Sequence, residues 1–188
     1  IPTLEVTLKD VNVNNYEVIL NAKGEELFFN DLNRYYNNSG GTQSAMVDSL
    51  VTAMVFLPDP LTTAQLSYGS PYVDASDADV VELNNQRQTV TIKVAIINDT
   101  FRLQSQWVKI GDFSSPTVAP AFSATPSFIY TRNQDQFEDV NVYYHINEYQ
   151  KHIQALGFTN LANYQINADA HALSGQDNSI YSSGYLYF

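Results

Sequence analysis

The sequence predicts an α+β protein, mainly antiparallel β, with one long amphipathic helix at about residues 135–156 near the C-terminus. Three observations carry this. Apolar and polar residues alternate at period two near the N-terminus and again at 89–97, turn-forming stretches separate the alternating runs, and apolar residues spaced by four and three follow residue 140. With 188 residues, 44% of them apolar, the chain can build one ordinary core, or a small domain with a piece of another attached.

Leu4, Val6 and Leu8 line one face of a first strand, and Val18 and Leu20 continue the alternation after Asn14 and Asn15, which reads as a hairpin. A second tight turn follows at 21–24, where Gly24 is free to take positive φ, and residues 26–29 form a third strand. The NNSGGT stretch at 37–42 is the clearest linker, because two glycines among small polar residues cost the most entropy to order. The predicted organisation is therefore a β-hairpin segment at 1–36, a linker at 37–44, a β-rich subdomain at 45–130, and a helix and edge-strand segment at 131–188.

Within the β-rich part, a run from Ala45 to Leu57 closes at Pro58 and Pro60, which cannot donate to a ladder. Residues 67–88 read as irregular. Val90, Ile92, Val94 and Ile96 then alternate with Thr and Lys in the clearest strand, Asn98 and Asp99 turn the chain, and residues 101–110 are its hairpin partner. The proline-bearing stretch 114–126 reads as an extended surface loop.

Val142, Ile146, Tyr149, Ile153 and Leu156 form the apolar stripe of the helix. Asp135, with Glu138 three residues on, predicts its capped start, and Gly157 its left-handed end. The tail from Asn160 reads as polar and irregular until the aromatic, strand-like Tyr185 to Phe188.

Nine Lys and Arg against twenty Asp and Glu leave a net charge of −11, which repels nucleic acid and anionic membrane and excludes both as partners. There is no cysteine, hence no disulfide and no thiolate metal site. Thirteen tyrosines and abundant Asn, Thr and Ser suit a secreted, β-rich surface. No apolar run approaches 18 residues, and the opening Ile1-Pro2 carries no signal segment, which reads as a processed or excised piece.

Two zinc-binding histidines on one helix stand at i and i+4, so that both rings reach one ion. His145 and His152 stand at i and i+7, about 10 Å apart along the axis, so this helix does not bind zinc by spacing. His171 is alone in a loop. Asp74, Asp77, Asp79 and Glu82 are calcium candidates, since hard oxygen ligands at near-alternate positions are what that ion takes, although the stretch lacks the glycine and closing carboxylate of an EF-hand loop. Trp107 and the tyrosines suit a sugar or peptide site as well as cross-strand packing. Nucleophile-elbow, Walker and dinucleotide fingerprints are absent.

"VFLPDPLTTAQLSYGSPYVD", "YTRNQDQFEDVNVYYHINEYQKHIQALGF" and "DAHALSGQDNSIYSS" together resemble the stretch upstream of the zinc helix in secreted fungalysin-like and thermolysin-like metallopeptidases, most of all the bacterial fungalysin-like branch. Residues 4–32 resemble the last strands of the propeptide that precedes such catalytic domains. The resemblance implies a non-catalytic, pre-catalytic portion of a zinc metalloendopeptidase. Peptide hydrolysis would then belong to a His-Glu-x-x-His segment that these residues do not contain, with zinc as the parent's cofactor.

It further implies that Asn178 and Ser179, with Tyr181 beside them, hold the backbone of a peptide substrate as an added strand, and that the chain's partner is the remainder of the peptidase. The alternative expectation is an extracellular β-rich subunit that has lost the chemistry and self-assembles through the edges at Leu4–Leu8 and Tyr185–Phe188.

Overall fold

The structure is a computed structural model that describes residues 4–9, 15–20, 26–31, 47–73, 78–174, 176 and 178–188. The chain divides into two compact units, Ile1–Gln43 and Ser44–Phe188. The predicted linker at 37–44 and the turn at 21–24 lie outside the described residues.

The first unit is an antiparallel sheet of β1 (Leu4–Lys9), β2 (Asn15–Leu20) and β3 (Glu26–Asp31), in that order. Leu4 pairs with Leu20 and Leu8 with Tyr16, and the β2–β3 register shifts between Ile19 and Leu20.

In the second unit the chain runs through β4 (Val47–Phe56), α1 (Pro60–Ala64), α2 (Val81–Asn84), β5 (Arg87–Ile97), β6 (Thr100–Arg102), β7 (Val108–Ile110), β8 (Phe122–Ser123) and β9 (Ser127–Phe128). It continues through α3 (Asp135–Ala155), β10 (Ile166–Asp169), β11 (Ile180–Ser182) and β12 (Tyr185–Tyr187). Two sheets result, ordered β8-β6-β5-β4-β9 and β11-β12-β10-β7.

These sheets are mixed, which corrects the expectation of a mainly antiparallel architecture. Strand β9 joins β4 in parallel, and β10 lies parallel to both β7 and β12. The cause is connectivity: α3 lies between β7 and β10 in the chain, and a helical crossover brings the next strand back in the same direction.

The long β4–β5 pairing runs from Val47 opposite Ile96 to Phe56 opposite Arg87. Period-two burial holds along β4, where Val51, Ala53 and Val55 face the core, and on β5 at Ile92 and Val94, until Ala95 is buried as well. Asn98 and Asp99 turn β5 into β6 with φ of 49° and 57°, a conformation these two residue types tolerate better than other side chains.

The expected hairpin partner at 101–110 is broken in two. The Ser105 hydroxyl accepts the N–H groups of Trp107 (3.1 Å) and Val108 (3.2 Å), which bends the chain so that β7 leaves for the second sheet. The tail after residue 160, expected to be irregular up to Tyr185, supplies β10 and β11, while β12 stands at the expected strand-like end but lies between β11 and β10 and so is not the sheet edge expected there. At α1 the helix forms because Asp59 accepts the Thr62 N–H (2.8 Å) and Pro60 occupies the first turn, a signal present in the sequence.

Helix α3 spans 21 residues. It ends as expected: Gly157 takes φ 91°, its N–H bonds the Gln154 carbonyl (2.9 Å) and the Phe158 N–H bonds that of Ile153 (3.2 Å), a Schellman closure. Its start differs, because Asp135 is the first helical residue and Gln134 the cap. The preceding turn is fastened by Thr131, whose N–H donates to Gln134 Oε1 (2.8 Å).

The predicted stripe holds only in part: Val142 and Ile146 are half-buried against the core, but its other end is not. Tyr149 is 68% and Leu156 60% exposed, whereas the buried positions are Phe137, Asp139, Val140, Tyr143, Asn147 and Gln150. Helix α3 packs this face on β4, β7 and β10, and the core gathers Val55, Val94, Val108, Phe128, Val140 and Tyr143. The Tyr143 hydroxyl donates to the Lys93 carbonyl of β5, and Asn147 accepts the Ser105 hydroxyl (2.7 Å). The helix thereby braces the bend that sends β7 to the second sheet.

Gly111, after β7, faces the ring of Phe113, and a Cβ there would sit well inside van der Waals distance of it. That ring packs edge-on to Tyr185 with centroids 5.2 Å apart. Gly111→Ala is therefore expected to push Phe113 off Tyr185 at a cost of about 1–2 kcal/mol. Thermal unfolding checks this, and in a Phe113→Ala background the same change should cost almost nothing.

Candidate functional site

Strand β11 is the outer strand of the second sheet. Among the described residues it pairs antiparallel with β12 alone, Ile180 opposite Tyr187 and Ser182 opposite Tyr185, and Ile180, Tyr181 and Ser182 are all exposed. Ser183 (φ 50°) and Gly184 (φ 86°) make the tight turn that returns the chain into β12. No strand among the described residues pairs with the other edge of β11.

Asn178 and Ser179 lead directly into this strand, and both are exposed. The Asn178 N–H donates to the Gln176 carbonyl (2.7 Å), and its side-chain oxygen accepts the Ser179 N–H (2.8 Å), so asparagine shapes the entry turn. The Tyr181 hydroxyl meets that of Tyr164 at 2.9 Å, and this hydrogen bond raises the Tyr164 pKa. The three residues singled out in the sequence therefore lie on one short exposed segment.

The histidines are separated. His145 is exposed on α3 with Nε2 2.9 Å from the Phe56 carbonyl, and His152 is exposed in the last turn. His171 is not alone, as the sequence suggested. It follows β10 and packs against α3, with Nδ1 3.0 Å from Glu138 Oε2 and Nε2 3.6 Å from Asp139 Oδ1.

Asp139 is buried beneath it and accepts the Ala121 N–H (2.7 Å). Asp169 is buried beside it and accepts the N–H groups of Phe113 (2.8 Å), Ser114 (3.0 Å) and His171 (3.1 Å). No local pattern reveals this cluster, because residues 138–139 and 169–171 meet only through the crossover. Burial pushes the Asp139 carboxyl up to about 6, despite the opposing Ala121 hydrogen bond and His171 charge.

Among the described residues no three His, Cys, Asp or Glu side chains stand where they could hold a metal ion. His145 Nε2 is turned to the Phe56 carbonyl and His171 Nδ1 to Glu138, and His152 stands two helical turns from His145. Of the calcium candidates, Asp74 and Asp77 lie outside the described residues. Asp79 accepts the Asn84 side-chain amide (2.8 Å), which holds its pKa below the usual carboxylate value, and Glu82 is exposed on α2.

Trp107 does border a cleft of about 250 Å³ with Tyr143, Tyr144 and Asn147, rimmed by the pairs Asp48–Lys93 and Glu148–Lys151. Among the described residues no helix is long and apolar enough to cross a membrane. Comparison with protein-family models, with curated proteins and with solved structures finds no match to this chain.

Proposed function

We infer that this chain is the peptide-holding, pre-catalytic part of a secreted zinc metalloendopeptidase, with hydrolysis supplied by a His-Glu-x-x-His segment outside these 188 residues. The observation that carries the reading is the outer edge of β11, unpaired among the described residues and entered from Asn178 and Ser179. An extended peptide added there gains ladder hydrogen bonds along its backbone, and its successive side chains fall in turn beside Ile180 on one face of the sheet and Tyr181 on the other. Asn178 fixes the angle at which the strand enters, and Tyr164 steadies the ring of Tyr181. The bond-breaking step belongs to that other segment.

Titrating the full, isotope-labelled chain with extended hexapeptides tests this. Amide shifts are expected to concentrate at residues 178–182, backbone N-methylation of the peptide is expected to weaken binding at least tenfold, and Asn178→Ala to weaken it several-fold. Added zinc should give no turnover, and chelator-sensitive hydrolysis by this chain would contradict the reading. The same edge also suits pairing between copies in a self-assembling subunit. That reading takes over if the chain forms a fixed oligomer that the peptides do not disperse.

A further inference from the structure

Neither the core nor the β11 edge accounts for the pairing of the first turns of α3 with the turn after β10. The His171 N–H is anchored on Asp169 Oδ1 (3.1 Å), so the imidazole stands between two carboxylates of α3. On one side Glu138 takes Nδ1 at 3.0 Å and reaches solvent. On the other, Nε2 faces Asp139 Oδ1 at 3.6 Å, beyond hydrogen-bond range, and this buried nitrogen has no partner. Buried polar atoms are almost always satisfied, and the gap is the width that one bridging proton and a small inward shift would close.

We propose that Glu138, His171 and Asp139 form a proton-operated clamp that fastens the turn after β10 to α3. With a proton in the Nε2–Oδ1 gap, the imidazole bonds both carboxylates and the buried oxygen is satisfied. Without it, a nitrogen lone pair and a carboxylate face each other in a site closed to water, and the turn loosens.

The groups facing the imidazole are Glu138, Asp139 and Asp135 from α3, while Asp169 from β10 and Tyr130 from the segment before α3 lie around Asp139. Burial lowers the His171 pKa, but the Glu138 hydrogen bond and the Asp139, Glu138 and Asp135 charges outweigh it and leave the value raised. Asp139 is raised to about 6, chiefly by burial. Both groups thus favour the protonated form in the folded state. Their contribution is full below the unfolded carboxyl value, declines as Asp139 titrates near 6, and is lost as pH rises through the raised value of His171. The clamp is closed in mild acid and loosens above neutrality.

The turn it holds continues to Leu173, whose N–H bonds the Phe188 carbonyl (2.9 Å) beyond β12, so the clamp steadies the second sheet. This inference stands on the α3–β10 geometry and does not depend on peptide binding.

The test is a nitrogen-detected NMR titration of the His171 ring in the full chain from about pH 4.5 to 9, with amide exchange at His171 and Leu173. Nε2 is expected to titrate above the ordinary histidine value. Exchange, corrected for the intrinsic rate, is expected to rise at least tenfold between about pH 6 and 8.5. In Asp139→Asn, whose amide hydrogen can fill the gap at any pH, that rise should vanish, and Tm at about pH 8.5 should exceed wild type by about 5 °C. An ordinary Nε2 titration with pH-independent exchange in the wild-type chain overturns the clamp, whether or not the variant folds.

Discussion

Replacing Asp169 with alanine is expected to lower the unfolding free energy by about 3–5 kcal/mol, among the largest effects of any single change in the protein. The carboxylate is 2% exposed, and it accepts three backbone N–H groups from two separate stretches, Phe113 and Ser114 after β7 and His171 after β10. Hydrogen bonds to a charged acceptor contribute about 1.5–3 kcal/mol each, and donors left without a partner keep their desolvation cost. Alanine removes both acceptor oxygens, strands all three donors and leaves a void. Asp169→Asn keeps one acceptor oxygen but turns an amide N–H toward a donor, so about half the loss is expected. Urea unfolding of the full chain measures both, and a loss under about 1 kcal/mol for alanine would show that the loop finds other partners.

Phe128→Ala is expected to cost about 3–5 kcal/mol through the cavity it leaves. Phe128 is 0% exposed, lies opposite Ala53 in the parallel pairing of β9 with β4, and packs edge-on to Tyr130 at 6.5 Å between centroids. Its small neighbour across the ladder is why the site cannot collapse. Phe128→Leu, which keeps most of the volume, is expected to cost under about 2 kcal/mol. Thermal and urea midpoints check the pair, and equal losses for Ala and Leu would mean that ring shape, not cavity volume, sets the cost.

Much of the fold is legible where local chemistry decides local structure. The 89–97 strand, its Asn98–Asp99 turn and the Gly157 helix end depend on neighbours in sequence, and each stands where the pattern indicates. The Ser105 bend is not legible, because a serine hydroxyl binding two N–H groups leaves no periodic trace. Strand β10 escapes the pattern because both of its pairings are parallel, the one with β7 reaching far along the chain, and four residues are too few to establish a period, whereas the aromatic run at β12 is read as strand-like. Asn178, Ser179 and Tyr181 come into view only through the peptidase resemblance. The His171 cluster gives no signal at all, since its members are joined by tertiary structure.

The face that α3 turns inward has a further consequence. It carries Asp139, Asn147 and Gln150, which bond Ala121, Ser105 and the Leu161 carbonyl, while Tyr149 and Leu156 look out. Rolling the cylinder about its axis to hide those apolar groups would strand the three polar ones, each at a cost comparable to the gain. The azimuth of the helix is thus chosen by directional partners that fit at one angle, and greasiness alone would leave it free to slip.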